Sequence, residues 1–157
     1  MEEVLPPQTQ EGAGFEPTTV RQFTVFLENR VGRLQALVRA LEEEERRIVA
    51  LSVEELADTA LVRLIYSHAD SARQSLRAAG FAFGETELLA VELPKRGRQT
   101  LATLCSALLA AEINVHYLYP LLGPASAVAL SVDDTVLAAQ LLIKKNFRLI
   151  GESDLRK

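Results

Sequence analysis

Apolar and polar residues alternate from Gln22 to Glu28, with Phe23, Val25 and Leu27 on one side. From Leu34 onward the apolar positions recur at helical spacing instead, as Leu34, Leu37, Val38 and Leu41. This change of period predicts a strand followed by a helix. Read along the chain in the same way, the pattern predicts strand 22–28, helix 32–44, strands 47–54 and 59–67, helix 70–79 and strand 81–87. It then predicts strand 88–93, helix 99–111, strands 113–120 and 126–132, helix 134–145 and strand 147–152. The order βαββαβ occurs twice.

The two halves also match residue by residue. An offset of 67 carries Leu34, Leu37, Val38 and Leu41 onto Leu101, Leu104, Cys105 and Leu108, and Thr59-Ala60-Leu61 onto Ser126-Ala127-Val128. One residue less carries Ala72, Leu76 and Phe81 onto Ala138, Leu142 and Phe147. Gly80 and Asn146, the residue types that best tolerate a left-handed helix cap, precede the two phenylalanines. Fixed-period self-similarity of this kind marks a duplicated structural unit. The predicted organisation is an N-terminal tail over residues 1–20, rich in Pro and Gly without periodicity, then modules at 21–87 and 88–157.

Each predicted helix carries a single apolar stripe, so two helices must cover one face of an antiparallel sheet in each module. The fold class is α+β, with two ferredoxin-like βαββαβ modules side by side and helices on one face. The other face of the sheet is left open by this pattern. Arg63 lies on it between Leu61 and Ile65, which fits either a solvated arginine or a second sheet packing there, as in a homodimer. On the helical stripe, Cys105 reads as core packing.

Composition narrows the function. Apolar residues make up 48% of the chain, and a net charge of −4 without a basic tract argues against a nucleic-acid surface. A single cysteine excludes an internal disulfide and fits a reducing compartment. No run reaches the roughly 18 apolar residues of a membrane span, and the start Met1-Glu2-Glu3 is the wrong flank for a signal peptide. The expectation is a cytoplasmic protein. With two histidines, His68 and His116, and one cysteine, neither a Cys–His pair nor a three-ligand metal site is expected, so the chain reads as non-catalytic, with no cofactor.

The candidate chemistry lies in Glu28-Asn29-Arg30-Val31-Gly32-Arg33-Leu34, the turn between the first strand and the first helix. Such a turn gathers free backbone N–H groups at the positive end of a helix, and Gly32 permits a positive φ. A carboxylate suits it better than a phosphate, which would call for several glycines or a Lys-Ser/Thr ending. A purely geometric connection is the other reading of the same residues.

The turn, the repeated order and the module length resemble the ACT domain, a small-ligand sensor common in amino-acid metabolism, and more narrowly the stand-alone tandem ACT proteins. In that family the first loop reads Asp/Asn-Arg/Lys-Pro-Gly-x-Leu, and Asn29 to Leu34 matches it except that Val31 replaces the proline. The join Glu85 to Pro94 is also similar to that family's, and Glu-Asn-Arg-x-Gly resembles the serine-binding module of phosphoglycerate dehydrogenases. The second copy of the loop departs further, with Gln99 at the position of Gly32 and no asparagine. Yet Ile113-Asn114-Val115 is similar to the family's Ile-Asn-Ile at the start of the second strand.

The resemblance implies an amino acid or related metabolite bound where one module's turn faces its neighbour's second strand. Asn29, Arg30, Val31, Gly32, Arg33 and Leu34 would then act with Asn114, Val115 and His116. Two function classes follow from it. One is a metabolite sensor. The other is a regulatory subunit docking in trans on a metabolic enzyme, as the small subunits of acetolactate synthase do.

Overall fold

The computed structural model describes residues 14–123 and 125–157. The first half comprises β1 (Val20–Glu28), α1 (Arg33–Leu41), β2 (Ile48–Glu55), β3 (Thr59–Tyr66) and α2 (Ala69–Ala78). Strand β4 (Ala82–Glu92) leads into α3 (Leu101–Ala110), β5 (Val115–Pro120), β6 (Ala127–Val132), α4 (Thr135–Lys144) and the short α5 (Glu152–Leu155). All strand pairs are antiparallel, and they form one six-stranded sheet in the order β2-β3-β1-β4-β6-β5.

The expected strands 81–87 and 88–93 are a single element, β4. Its first part pairs with β1, from Ala82 opposite Phe26 to Leu88 opposite Val20, and its second with β6, from Leu89 opposite Leu130 to Glu92 opposite Ala127. The change of pairing partner falls inside this strand. The expected last strand at 147–152 shortens to an isolated bridge between Val91 and Leu149, after which Gly151 turns the chain into α5. Residues 1–13 of the expected tail lie outside the described residues.

Helix ends repeat as the sequence suggests. Gly80 (φ 79°) and Asn146 (φ 66°) are left-handed, and Phe81 and Phe147 donate back to Leu76 and Leu142 at 3.0 and 2.9 Å. This Schellman closure satisfies carbonyls that the helix end would leave free. A third instance ends α3, with Glu112 at φ 57° and Ile113 donating to Leu108.

Two apolar clusters lie beneath the helices, one per half. Phe23, Leu37, Leu41, Leu64 and Leu76 anchor the first, and Leu89, Leu104, Leu108, Leu130 and Leu142 the second. The helical stripe is narrower than the i, i+3, i+4, i+7 reading. Leu34 and Leu101 are 38% and 47% exposed, and Cys105 is exposed rather than packed in the core, because Ala107 takes the buried position beside Leu104 and Leu108. Ala107 also lines the concavity between α3 and α4.

The face opposite the helices is not open throughout. The sheet curls until its edge strands meet at one end, where Ala50 bridges Leu121 and the Leu122 amide donates to the Val49 carbonyl at 2.6 Å. A third cluster, including Val20, Val49, Ile65, Leu88, Ala90, Tyr119, Ile150 and Leu155, fills the concave side. There the buried Gln22 donates to Tyr117 Oη at 2.8 Å and accepts from Tyr119 Oη at 2.6 Å. Burial pushes the Tyr119 hydroxyl pKa up.

Arg63 lies 4.1 Å from the centroid of the Tyr117 ring and pairs with Glu54 at 3.1 Å. It is neither plainly solvated nor awaiting a partner chain, since strand β5 of the same chain packs against it. At the start of β1, Arg21 bonds both carboxylate oxygens of Glu152 at 2.9 and 3.0 Å and also reaches Asp70 at 2.7 Å, tying α5 to the first half. These bonds hold the Glu152 carboxyl below the usual glutamate range.

Candidate functional site

Strand β1 ends at Glu28, and the chain turns through Asn29 to Gly32 into α1. Gly32 has φ 90° and ψ −12°. A Cβ at that position would meet nothing within 4 Å, so glycine is needed there for conformation rather than for room. The turn is held by Arg30 N–H to Glu28 O at 2.8 Å and Arg33 N–H to Arg30 O at 3.3 Å. No side chain caps α1, so the amides of Leu34 and Gln35 lack the usual side-chain acceptor.

Beside this turn is a cleft of about 190 Å³, walled by Asn29, Arg30, Arg33 and Leu34 together with Val53, Glu55 and Ala60. That is roughly the share of six water molecules in the liquid. Asn29 Nδ2 donates to Glu55 Oε1 at 3.3 Å, while Arg30 pairs with Glu28 at 3.0 Å. The Arg33 guanidinium lies 5.0 Å from the centroid of Phe81, and its Nε is buried with no hydrogen-bond partner among the described residues. A buried donor without an acceptor costs about 1–3 kcal/mol, and more when charged.

The site residues read from sequence divide into two groups. Asn29, Arg30, Arg33 and Leu34 line the cleft, Gly32 shapes its turn, and the Val31 side chain points to solvent. Asn114, Val115 and His116 are not among the cleft's walls. They are exposed at the start of β5, where Asp133 engages the Asn114 backbone. Glu55 and Val53 at the end of β2 complete the cleft; no motif marked them, because their role comes from β2 lying beside the turn through β3.

The equivalent helix start in the second half is capped. Thr100 caps α3, accepting from the Thr103 amide at 3.2 Å while its own amide donates to Thr103 Oγ1 at 2.8 Å. The pair Thr100-x-x-Thr103 has the spacing of a capping box, a signal the sequence contained. Among the described residues no arginine covers Phe147 as Arg33 covers Phe81, and a concavity of about 550 Å³ lies between α3 and α4. Among the described residues, no cluster of three His, Cys, Asp or Glu side chains could hold a metal ion. Nor is any described helix long and apolar enough to cross a membrane.

The family model for the ACT domain pair matches residues 18–157. The chain belongs to the ACT domain pair family. This ACT pair is similar to the crystal structure of protein BT0572 from Bacteroides thetaiotaomicron, with 28% identity and a TM-score of 0.79, covering 90% of this chain and 98% of that one. It shares its fold with the ligand-free regulatory subunit of aspartate kinase from Thermus thermophilus, at 10% identity and a TM-score of 0.55, covering 82% and 93%. No curated protein matches the sequence. The family gives this ACT pair a regulatory, ligand-binding role.

Proposed function

We propose that this ACT pair is a non-catalytic cytoplasmic sensor that binds an amino acid in the cleft beside Asn29–Leu34. The carboxylate would meet the Leu34 and Gln35 amides and the Arg33 guanidinium, with Arg30 adding charge. The ammonium would meet the carbonyl oxygen of Asn29 and the carboxylate of Glu55. The observation that carries this reading is the buried, unpartnered Arg33 Nε beside an uncapped helix start. Asn114, Val115 and His116 enter the reading through a homodimer, in which the exposed β5 edge of a second copy covers the open side of the cleft. The exposed thiol of Cys105 fits a reducing compartment.

A ligand of about eight heavy atoms, after ordering costs, suits micromolar to millimolar affinity. A thermal-shift screen of the twenty amino acids tests this directly. One or a few should raise the melting temperature, and Arg33→Ala should weaken their binding about tenfold to a hundredfold by calorimetry. Equal binding by Arg33→Ala would remove the cleft as the site.

A second reading, docking in trans on a metabolic enzyme, draws on α3. This helix has no charged residue between Leu101 and Ala110, yet Leu101, Cys105 and Leu109 are exposed. A screen without any shift, together with co-purification of one enzyme, would favour this second reading.

A further inference from the structure

A cavity of about 300 Å³ opens where β2 meets the connection between β5 and β6. Its apolar walls include Val49, Leu121, Ala127, Ile150 and Leu155, all in or against the cluster on the concave side of the sheet. Val49 belongs to the first half and the other four to the second, so the cavity exists only because the sheet has curled shut. Its volume is roughly the liquid share of ten water molecules, room for an apolar body larger than the cleft beside Asn29 holds.

The polar groups around this cavity are unevenly committed. Arg148 pairs with Glu92 at 3.4 Å and Asp154 at 2.9 Å, and Lys157 lies 3.9 Å from Asp154. The Asp154 carboxyl also accepts from the Gly151 amide at 2.9 Å, which together with nearby cations holds it below the usual aspartate range. Both carboxylates are thus already satisfied. Arg47 at the rim makes no ion pair among the described residues, and its own amide is engaged by Ser67 Oγ. The lining therefore offers Arg47 as a cation without an ion pair among the described residues, carboxylates already engaged, and an apolar floor.

We propose that this seam binds a small carboxylic acid with a bulky branched or aromatic body. Its carboxylate pairs with Arg47, and its body lies on Val49, Leu121, Ala127, Ile150 and Leu155. Because Glu92 and Asp154 are occupied by Arg148, the ligand needs no ammonium group. A 2-oxo acid is held as well as the matching amino acid, in contrast to the cleft beside Asn29. Occupancy braces the seam, whose backbone links are the Ala50–Leu121 bridge and the hydrogen bond from Leu122 to Val49.

Calorimetric titration of the full chain with 4-methyl-2-oxopentanoate and phenylpyruvate tests the proposal. At least one should bind, Arg47→Glu should weaken it more than tenfold, and Arg33→Ala should leave it within about twofold. Arg47 is exposed, so both Arg47→Glu and Arg47→Ala leave the core intact. Hydrogen exchange at the Leu122 amide should slow with ligand in the wild-type chain and not in Arg47→Glu. The seam site is overturned if neither acid binds at about 10 mM, a concentration that detects even millimolar affinity, or if Arg47→Glu binds as the wild type does. Binding lost in Arg33→Ala but kept in Arg47→Glu also overturns it, while leaving the cleft reading intact.

Discussion

The two helix starts behind Gly32 and Thr100 hold equivalent places in a duplicated unit, yet one is chemically open and the other is closed. The start of α1 has no side-chain cap and a buried guanidinium nitrogen without a partner, whereas α3 is capped by the reciprocal Thr100–Thr103 bonds. A duplicated fold therefore need not duplicate a site. Two threonines are enough to spend, inside the protein, the hydrogen-bonding capacity that the other copy leaves without a side-chain cap among the described residues. Arg33 sharpens the contrast, since it covers Phe81 where nothing comparable covers Phe147.

The largest test asks whether the two halves differ in stability as they do in chemistry. Leu37 and Leu104 are fully buried counterparts, and truncating either to Ala should cost about 2–5 kcal/mol. Because β4 belongs to both halves, each variant should shift a single unfolding transition in denaturant, seen equally by circular dichroism and by a probe in the other half. Two separated transitions would show that the copies unfold independently.

A finer test exchanges the helix starts. Gly32→Ala forces a left-handed backbone on a β-carbon and should cost about 1–2 kcal/mol, or a few degrees in melting temperature, while weakening any ligand held by the turn. Thr100→Ala should cost about 1 kcal/mol and leave that ligand's affinity unchanged. Equal effects of the two on binding would erase the distinction between the open and the closed copy.

The smallest effect concerns the ion pair that joins the halves. The carboxyl of Glu152 is held below its ordinary value of 4.5 chiefly by its hydrogen bonds to Arg21. A depressed folded value contributes stability above the unfolded pKa, and that contribution is lost as pH falls through the folded one. Compared with Glu152→Gln, the wild-type chain should be more stable near pH 7, and the difference should shrink below about pH 4.5 in urea titrations. A constant difference across that window would mean that the pair does not couple the halves.

Much of the architecture was legible because it rests on local periodicity. The spacing of Leu34 to Leu41 repeated at Leu101 to Leu108, and Gly80 and Asn146 announced helix ends that the structure closes in the same way. The curl was not legible. Alternation around Arg63 shows that a face exists but cannot say that Tyr117, more than fifty residues later, arrives to cover it. Cys105 misled for a related reason: helical spacing marks a stripe roughly 100° wide, and the buried line through Leu104, Ala107 and Leu108 runs to one side of it. The cleft was half legible, since the Asn29–Leu34 motif is contiguous while Glu55 and Val53 join it only through strand pairing.

Strand β4 runs unbroken from one copy into the other, hydrogen-bonded to β1 along its first part and to β6 along its second. From Leu88 to Val91 it is apolar on both faces, with Leu89 and Val91 under the helices and Leu88 and Ala90 in the concave cluster, so a slip of a single residue would exchange the side chains of two cores at once. The twins have traded autonomy for a common backbone, and an insertion or deletion near Leu88 would be felt in both cores together.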